Sequence, residues 1–217
     1  MCICLARPVW APLSSGEQAD WQPGLFGPIM LEQRFLETLA RARSGDEHAF
    51  ALIYNDIQPA LLRYSWAQAP GHGEDISAEV WLEVTRSLCR FEGDEQGFRG
   101  WVFAIARNKI IDHVRRGARR PTVVLQDAEE IYLNEARDVA EAYEDEEATR
   151  RALTLVRTLP QSQAEAILLR VVAGLDIAQV AGLLGKSPGA VRVLTHRGLR
   201  RLAAVLTEQM ATGGVER

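Results

Sequence analysis

Residues 98–120 read FRGWVFAIARNKIIDHVRRGARR. Val102, Ile105, Ala106, Ile110 and Val114 recur at three- and four-residue steps, so the stretch reads as a helix with one apolar stripe that can bury. Off that stripe, Trp101, Asn108 and Arg115 are spaced by seven and share one side. Arg115, Arg116, Arg119 and Arg120 crowd the C-terminal end, and the whole stretch holds seven Lys/Arg against one Asp. Rings interleaved with cations are what single-stranded nucleic acid needs, because bases stack on rings while phosphates meet cations. The competing reading is structural. Phe98, Trp101 and Phe103 can each be core aromatics, and the cations suit a helix C-terminal dipole. The block by itself leaves both readings open.

Upstream, residues 31–117 are mostly helical by period. Phe35, Leu36 and Leu39, then Ala49, Phe50, Leu52 and Ile53, then Leu61 and Leu62 keep helical spacing. Gly45 ends the first helix and Asp46 caps the second. Residues 70–73, PGHG, form a turn, Asp75 or Ser77 opens the next helix, and residues 92–97 are a loop before the basic segment. Residues 1–30 carry four prolines, three glycines and no helical period, and read as a poorly ordered extension. Met30, directly before the first helical pattern, is a candidate translation start.

Downstream, residues 121–150 open on Pro121 and turn acidic: from Gln126 to Thr149 there are ten Asp/Glu against one Arg. Low apolar content makes this stretch a flexible linker. Residues 151–210 return to helical spacing, with residues 211–217 as a tail. Asp176 to Leu184 is a short helix stopped at Gly185. Ser187-Pro188 then supplies an N-cap and a first-turn proline for a second helix. The pair has the length of a helix-turn-helix. In its second helix Val191, Leu194, Leu199, Leu202 and Val205 fall on one face and can bury. Gly189, Arg192, Val193, His196 and Arg200 fall largely on the other. Residues 186–201 hold five Lys/Arg and no acid, whereas a merely solvated face usually mixes signs. Guanidinium forks on such a face match guanine edges and phosphates.

Composition bounds the rest. The 217 residues are 47% apolar and 25% charged, which excludes collagenous, mucin-like and wholly disordered classes. A net charge of −4 argues against nucleic acid until its distribution is read: two basic blocks flank an acidic stretch. No window has eighteen consecutive apolar residues, so no membrane insertion is expected. The N-terminus lacks the basic start of a signal peptide. Cys2, Cys4 and Cys89 make neither a disulfide framework nor a metal set, and read as reduced thiols of a cytoplasmic chain. No metal or cofactor is expected.

The order of these blocks, with DEHAFALIYNDIQPALLRY (46–64), GEDISAEVWLEVTRSLCRFEGDEQGFRGWVFAIARNKIIDHVRRGARRP (73–121) and LPQSQAEAILLRVVAGLDIAQVAGLLGKSPGAVRVLTHRGLRRL (159–202), resembles the extracytoplasmic-function, or group IV, sigma factors of bacterial RNA polymerase. The resemblance covers about residues 31–208. It implies an all-α fold of two helical domains. Residues 31–120 would be a region 2-like bundle and residues 151–210 a region 4-like helix-turn-helix domain, joined by the acidic flexible linker 121–150. It implies binding to core RNA polymerase, through the β′ coiled coil and the β flap, and to promoter DNA as duplex and as melted single strand. An anti-sigma partner is typical of the family. The helix with Asp75, Glu79 and Trp81 resembles the surface that docks on the β′ coiled coil; where the family often has Gln-Glu, Ala78 precedes Glu79 here. Residues 92–98 resemble the loop that captures a base flipped from the minus-ten element. The minus-ten set is then Phe98, Trp101, Asn108, Lys109, Arg115, Arg116, Arg119 and Arg120. The minus-thirty-five set is Ser187, Arg192, Val193, His196, Arg197 and Arg200.

Two other functions compete. A free-standing helix-turn-helix regulator of an operator would need a sensor or dimerisation domain in residues 31–117, where the aromatic–basic helix sits instead. An enzyme would have to use Asp112, His113 and Cys89, but no H-E-x-x-H, P-loop, G-x-S-x-G or paired-cysteine motif occurs. The chain reads as a non-enzymatic binding module.

Overall fold

The computed structural model describes residues 32–119 and 139–213. Among them there are eight α-helices and no strand: α1 (Glu32–Arg43), α2 (Glu47–Gln68), α3 (Gly73–Ser87), α4 (Glu95–Arg119), α5 (Val139–Arg157), α6 (Gln161–Ile167), α7 (Ile177–Leu184) and α8 (Pro188–Gly213). A single 3₁₀ turn, Leu88–Arg90, follows α3, and a π-helical turn, Leu168–Val172, extends α6.

Local chemistry sets most boundaries. Asp46 caps α2 by accepting from the Ala49 amide at 3.1 Å, and that bond, with the Arg41 side chain, holds the Asp46 carboxyl below its usual range. Asp176 and Gln179 form a reciprocal capping box at α7, which ends at Gly185 with φ +61°. The Ser187 hydroxyl accepts from the Ala190 amide at 3.2 Å and opens α8. Three expectations shift. First, α3 begins at Gly73, not at Asp75 or Ser77; Ser77 is buried inside it. Second, α4 begins at Glu95, because Asp94 Oδ1 accepts from the Gly97 amide at 2.6 Å, so the loop is shorter than residues 92–97. Third, residues 139–150 of the acidic stretch are helical and continuous with the last part of α5. Expectations for residues 1–31, 120–138 and 214–217 lie outside the described residues.

α1, α2 and α3 pack around α4, with Phe35, Leu39, Ile53, Leu61, Tyr64, Val80, Val84, Phe98 and Phe103 almost fully enclosed. Arg99 on α4 is tied to Asp56 on α2. Burial pushes the Asp56 carboxyl up and Arg99 pulls it back, with burial the larger effect.

α6, α7 and α8 close around Leu168, Leu169, Leu175, Val180 and Val191. α8 approaches α6 at Gly198, where a Cβ would lie 2.6 Å from Ile167 Cδ1. The buried position of that face is therefore Gly198; Leu199, expected inside, is 47% exposed. On α4, Val114, also expected inside, is 55% exposed.

The C-terminal helices lie directly on the N-terminal ones. α2 packs against α5 and against the π-helical turn, and the buried side chains of both halves form one connected cluster. Arg107 Nε on α4 meets Glu165 Oε1 on α6 at 2.7 Å. Gln179 Nε2 on α7 donates to the Gln96 carbonyl at 2.7 Å. That contact faces Gly100, whose missing Cβ would stand 2.9 Å from the same nitrogen. A cleft of about 250 Å³ lies between the halves, lined by Tyr64, Gln68, Arg107, Ile110, Gln161 and Glu165 among others.

Candidate nucleic-acid interface

α4 builds an aromatic platform at its start. Phe98 is fully buried and touches Phe35 and Phe91, with centroids 5.5 and 5.1 Å apart. Trp101, half-buried, lies nearly parallel to Phe91 at 5.2 Å and 28°. Phe98 therefore supports the platform from beneath: an enclosed ring cannot stack a base, and the expectation that it contacts DNA is corrected to a packing role. Phe91, 2% exposed, is enclosed as well and backs Trp101; it was not singled out in the sequence because it sits before the loop rather than on the helix. Its signal was the aromatic preceding an acidic, glycine-containing turn.

Further along α4, Asn108, Arg115 and Arg116 are exposed, and Arg116 Nε donates to the Asp112 carbonyl at 3.3 Å. Lys109 is half-buried and 3.5 Å from Glu79 Oε2 on α3, which joins two sets of residues expected to have different partners. Arg119 ends the helix, with its side chain outside the description, and Arg120 lies outside the described residues.

On α3, Asp75 is exposed and Glu79 half-exposed, but Trp81 is only 6% exposed. Its indole Nε1 donates to Gln58 Oε1 at 2.7 Å, and the Ser77 hydroxyl donates to the same oxygen at 2.8 Å. The Trp81 ring packs on Phe50 and Tyr54. Trp81 thus shapes the surface from behind rather than presenting itself. The apolar side chain that α3 does present is Leu82, 55% exposed, on the rim of a groove of about 600 Å³ between α2 and α3.

The expected face of α8 is presented as one surface. Ser187, Arg192, Val193, His196, Arg197 and Arg200 are all exposed, while Val191 and Gly198 face inward. α7 is held across the turn by its own cap and by Val180 and Ala181 in the core, which fixes α8 with that surface outward.

Of the residues an enzyme reading would use, His113 pairs with His72, ring centroids 4.3 Å apart, and Cys89 lies exposed in the 3₁₀ turn. Among the described residues, no group of three or more His, Cys, Asp or Glu is arranged to hold a metal ion. Nor is any described helix long and apolar enough to cross a membrane.

Residues 53–120 match the family model described as Sigma-70 region 2, and residues 149–202 match Sigma-70, region 4. The chain is 34% identical over 180 residues to the ECF RNA polymerase sigma factor ShbA of Streptomyces griseus subsp. griseus, covering 78% of this chain and 93% of that one. It is 30% identical over 180 residues to the ECF RNA polymerase sigma factor BldN of Streptomyces coelicolor, covering 81% and 67%. The fold is similar to that of CnrH in its complex with the cytosolic domain of CnrY, with a TM-score of 0.55 at 21% identity over 81% of this chain and 98% of that one. With region 2 falling on the α2–α4 bundle and region 4 on the helices that carry the α7–α8 pair, the chain belongs to the extracytoplasmic-function (ECF) sigma factors of the sigma-70 family.

Proposed function

We propose that this chain binds core RNA polymerase and directs it to initiate transcription at a particular set of promoters. One observation carries the reading: a single chain presents two different nucleic-acid surfaces. The exposed residues of α8 suit the major groove of a duplex. The half-buried Trp101 ring, backed by the enclosed Phe91, on the same helix as Asn108, Arg115 and Arg116, suits unpaired bases and their phosphates. A reader of duplex alone has no use for the second. In this reading α8 contacts the minus-thirty-five element through Ser187, Arg192, Val193, His196, Arg197 and Arg200. The α4 surface captures an extruded minus-ten base through Trp101 and Asn108, with Lys109, Arg115, Arg116, Arg119 and Arg120 along the backbone. An extruded base loses its stack and regains it against protein. Asp75 and Glu79, with Leu82 beside them, form the face toward polymerase. The chain supplies binding and orientation rather than bond-making chemistry.

Run-off transcription with core polymerase over a genomic library tests this. Discrete transcripts that depend on the added chain, sharing a two-part upstream consensus, are the expected result. If the isolated chain instead binds one duplex operator with nanomolar affinity at physiological salt and yields no transcript, the chain acts as a free-standing regulator.

A further inference from the structure

The groove between α2 and α3 has one wall from Phe50, Tyr54, Gln58 and Leu62, four residues apart on α2, and another from Trp81 and Leu82 on α3. From Phe50 to Leu62 it runs about 18 Å. Its middle is aromatic: the Trp81 ring lies 4.8 Å from Tyr54 and 5.8 Å from Phe50, centroid to centroid. It also offers a hydrogen-bond donor. The Trp81 indole can only donate, so the Gln58 atom that faces it is the amide oxygen, which takes the Ser77 hydroxyl as well. Gln58 Nε2 is left over, and among the described residues it meets no acceptor. Rings with a donor set among them suit an extended, proline-containing segment. Prolines hold such a backbone extended at low entropic cost, the rings take its apolar side chains, and the donor takes a carbonyl.

The chain contains a segment of that kind outside the described residues. Residues 7–13 read RPVWAPL, with Pro8 and Pro12 flanking Val-Trp-Ala. In the polyproline conformation they span about 19 Å, the length of the groove. Charge matches as well. Arg7 is the sole Lys or Arg in residues 1–33, and residues 1–16 hold no acid. Glu74 lines the groove at the start of α3, with Asp75 exposed beside it. A second apolar stretch, WQPGLFGP (21–28), has two glycines to order and follows Asp20, which the acidic rim repels. Reach is sufficient. The path along α1 and the turn at Gly45 puts Phe50 at most about 40 Å from Glu32. Residues 14–31 can bridge at most about 60 Å, and a flexible chain of that length averages about 23 Å end to end. Such a tether gives an effective concentration on the order of millimolar, enough to populate a weak contact.

We propose that the α2–α3 groove is the docking site of residues 7–13 of the same chain. Trp10 lies on the Tyr54, Trp81 and Phe50 rings, Arg7 meets Glu74, and Gln58 Nε2 donates to a backbone carbonyl of the segment. Docked there, the segment covers Leu82. Only this last consequence, that it shares a face with polymerase, rests on the proposed function.

Thiol protection tests it. Ala78 lines the groove and is exposed, so Ala78→Cys adds one small reporter. It is placed in the full-length chain with Cys2, Cys4 and Cys89 replaced by serine, and its rate of reaction with a maleimide is measured. The reporter should react slowly. Trp10→Ala should speed it several-fold and Arg7→Glu by less. Neither residue belongs to a described helix, and circular dichroism checks that the helical content is unchanged. A synthetic peptide of residues 5–15, added in excess to the Trp10→Ala chain, should slow the reaction again; the same peptide carrying Trp10→Ala should not. Equal rates for parent and Trp10→Ala, or a peptide that gives no protection, overturns the proposal. Protection that grows with chain concentration makes the occupant a second copy and overturns it too. No polymerase or DNA is present, so these rates decide the docking whatever the run-off assay shows of the proposed function.

Discussion

Arg99 Nη2 lies 2.6 Å from Asp56 Oδ2, with both side chains about nine-tenths out of solvent, and this pair ties the start of α4 to the middle of α2. Burial works against the Asp56 charge more than Arg99 works for it. Such a pair costs nearly as much to desolvate as it returns, but losing one partner strands the other charge. Asp56→Ala should therefore lower stability by about 3–5 kcal/mol. Asp56→Leu combined with Arg99→Met should be less destabilised than either single change. Urea denaturation of Asp56→Ala, the two singles and the double checks this, and a double variant worse than both singles would contradict it.

Gln58 is a second hidden tie. Its oxygen accepts from both Ser77 and Trp81, fixing the face of α3 that carries Asp75 and Glu79. Gln58→Leu leaves two enclosed donors unpaired and should cost about 2 kcal/mol. Adding Trp81→Phe removes one of those donors, so the double variant should cost less than the sum of its singles. Denaturation followed by tryptophan fluorescence and circular dichroism measures the difference.

These ties explain which parts of the molecule could be read from the sequence. The helix-turn-helix was legible because its signals are local: Asp176 and Ser187 accept from amides three residues on, and the Gly185 amide donates to the Ala181 and Gly182 carbonyls. The exposed face of α8 followed from period alone. Trp81 was misread as a surface residue because the oxygen that holds it belongs to a residue 23 positions earlier. Leu199 and Val114 were expected inside because period identifies an apolar stripe without telling which part of it a neighbour covers. At α8 the close approach to α6 needs a glycine, and Gly198 takes the buried place. The docking of α7 on α4 joins residues 83 positions apart, and no local pattern encodes it.

Burial of His113, with His72 beside it, should make stability pH-dependent. Burial holds the His113 imidazole below its usual 6.5; His72 and Arg116 push the same way, and Glu79 and Asp75 pull back. The unfolded chain thus takes up a proton here at a pH where the folded chain resists it. Stability rises with pH through that window and is lost as pH falls below about 6.5. Melting temperature should drop on acidification from about pH 7.5 to 5.5. His113→Asn should flatten that slope, and His72→Ala should flatten it less, because burial is the larger cause. A His113→Asn chain as acid-sensitive as the parent would assign the slope to other groups.

Asn108 and Arg192 separate the two proposed DNA surfaces. Both are exposed, one on α4 and one on α8, so neither substitution should unfold the chain: exposed positions usually change stability by within about 0.5 kcal/mol. If Asn108 lines the pocket for an extruded base, Asn108→Ala should slow open-complex formation and relax base preference at one minus-ten position. Binding to core polymerase should be unchanged, since the face proposed for it lies on α3. Arg192→Ala should weaken recognition of the minus-thirty-five duplex by about 1–3 kcal/mol if its fork meets a guanine. A template with a pre-melted minus-ten bubble distinguishes the two. It removes the cost of extruding the base, so it should rescue the melting defect of Asn108→Ala. It does nothing for a duplex contact upstream, so the Arg192→Ala defect should persist. Transcription of both variants from bubble and duplex templates gives four measurements, and wild-type activity of Asn108→Ala on every template would falsify the pocket. The accessible Trp101 ring would then supply stacking alone, and since stacking accepts any base, no base preference at that position would come from the α4 surface.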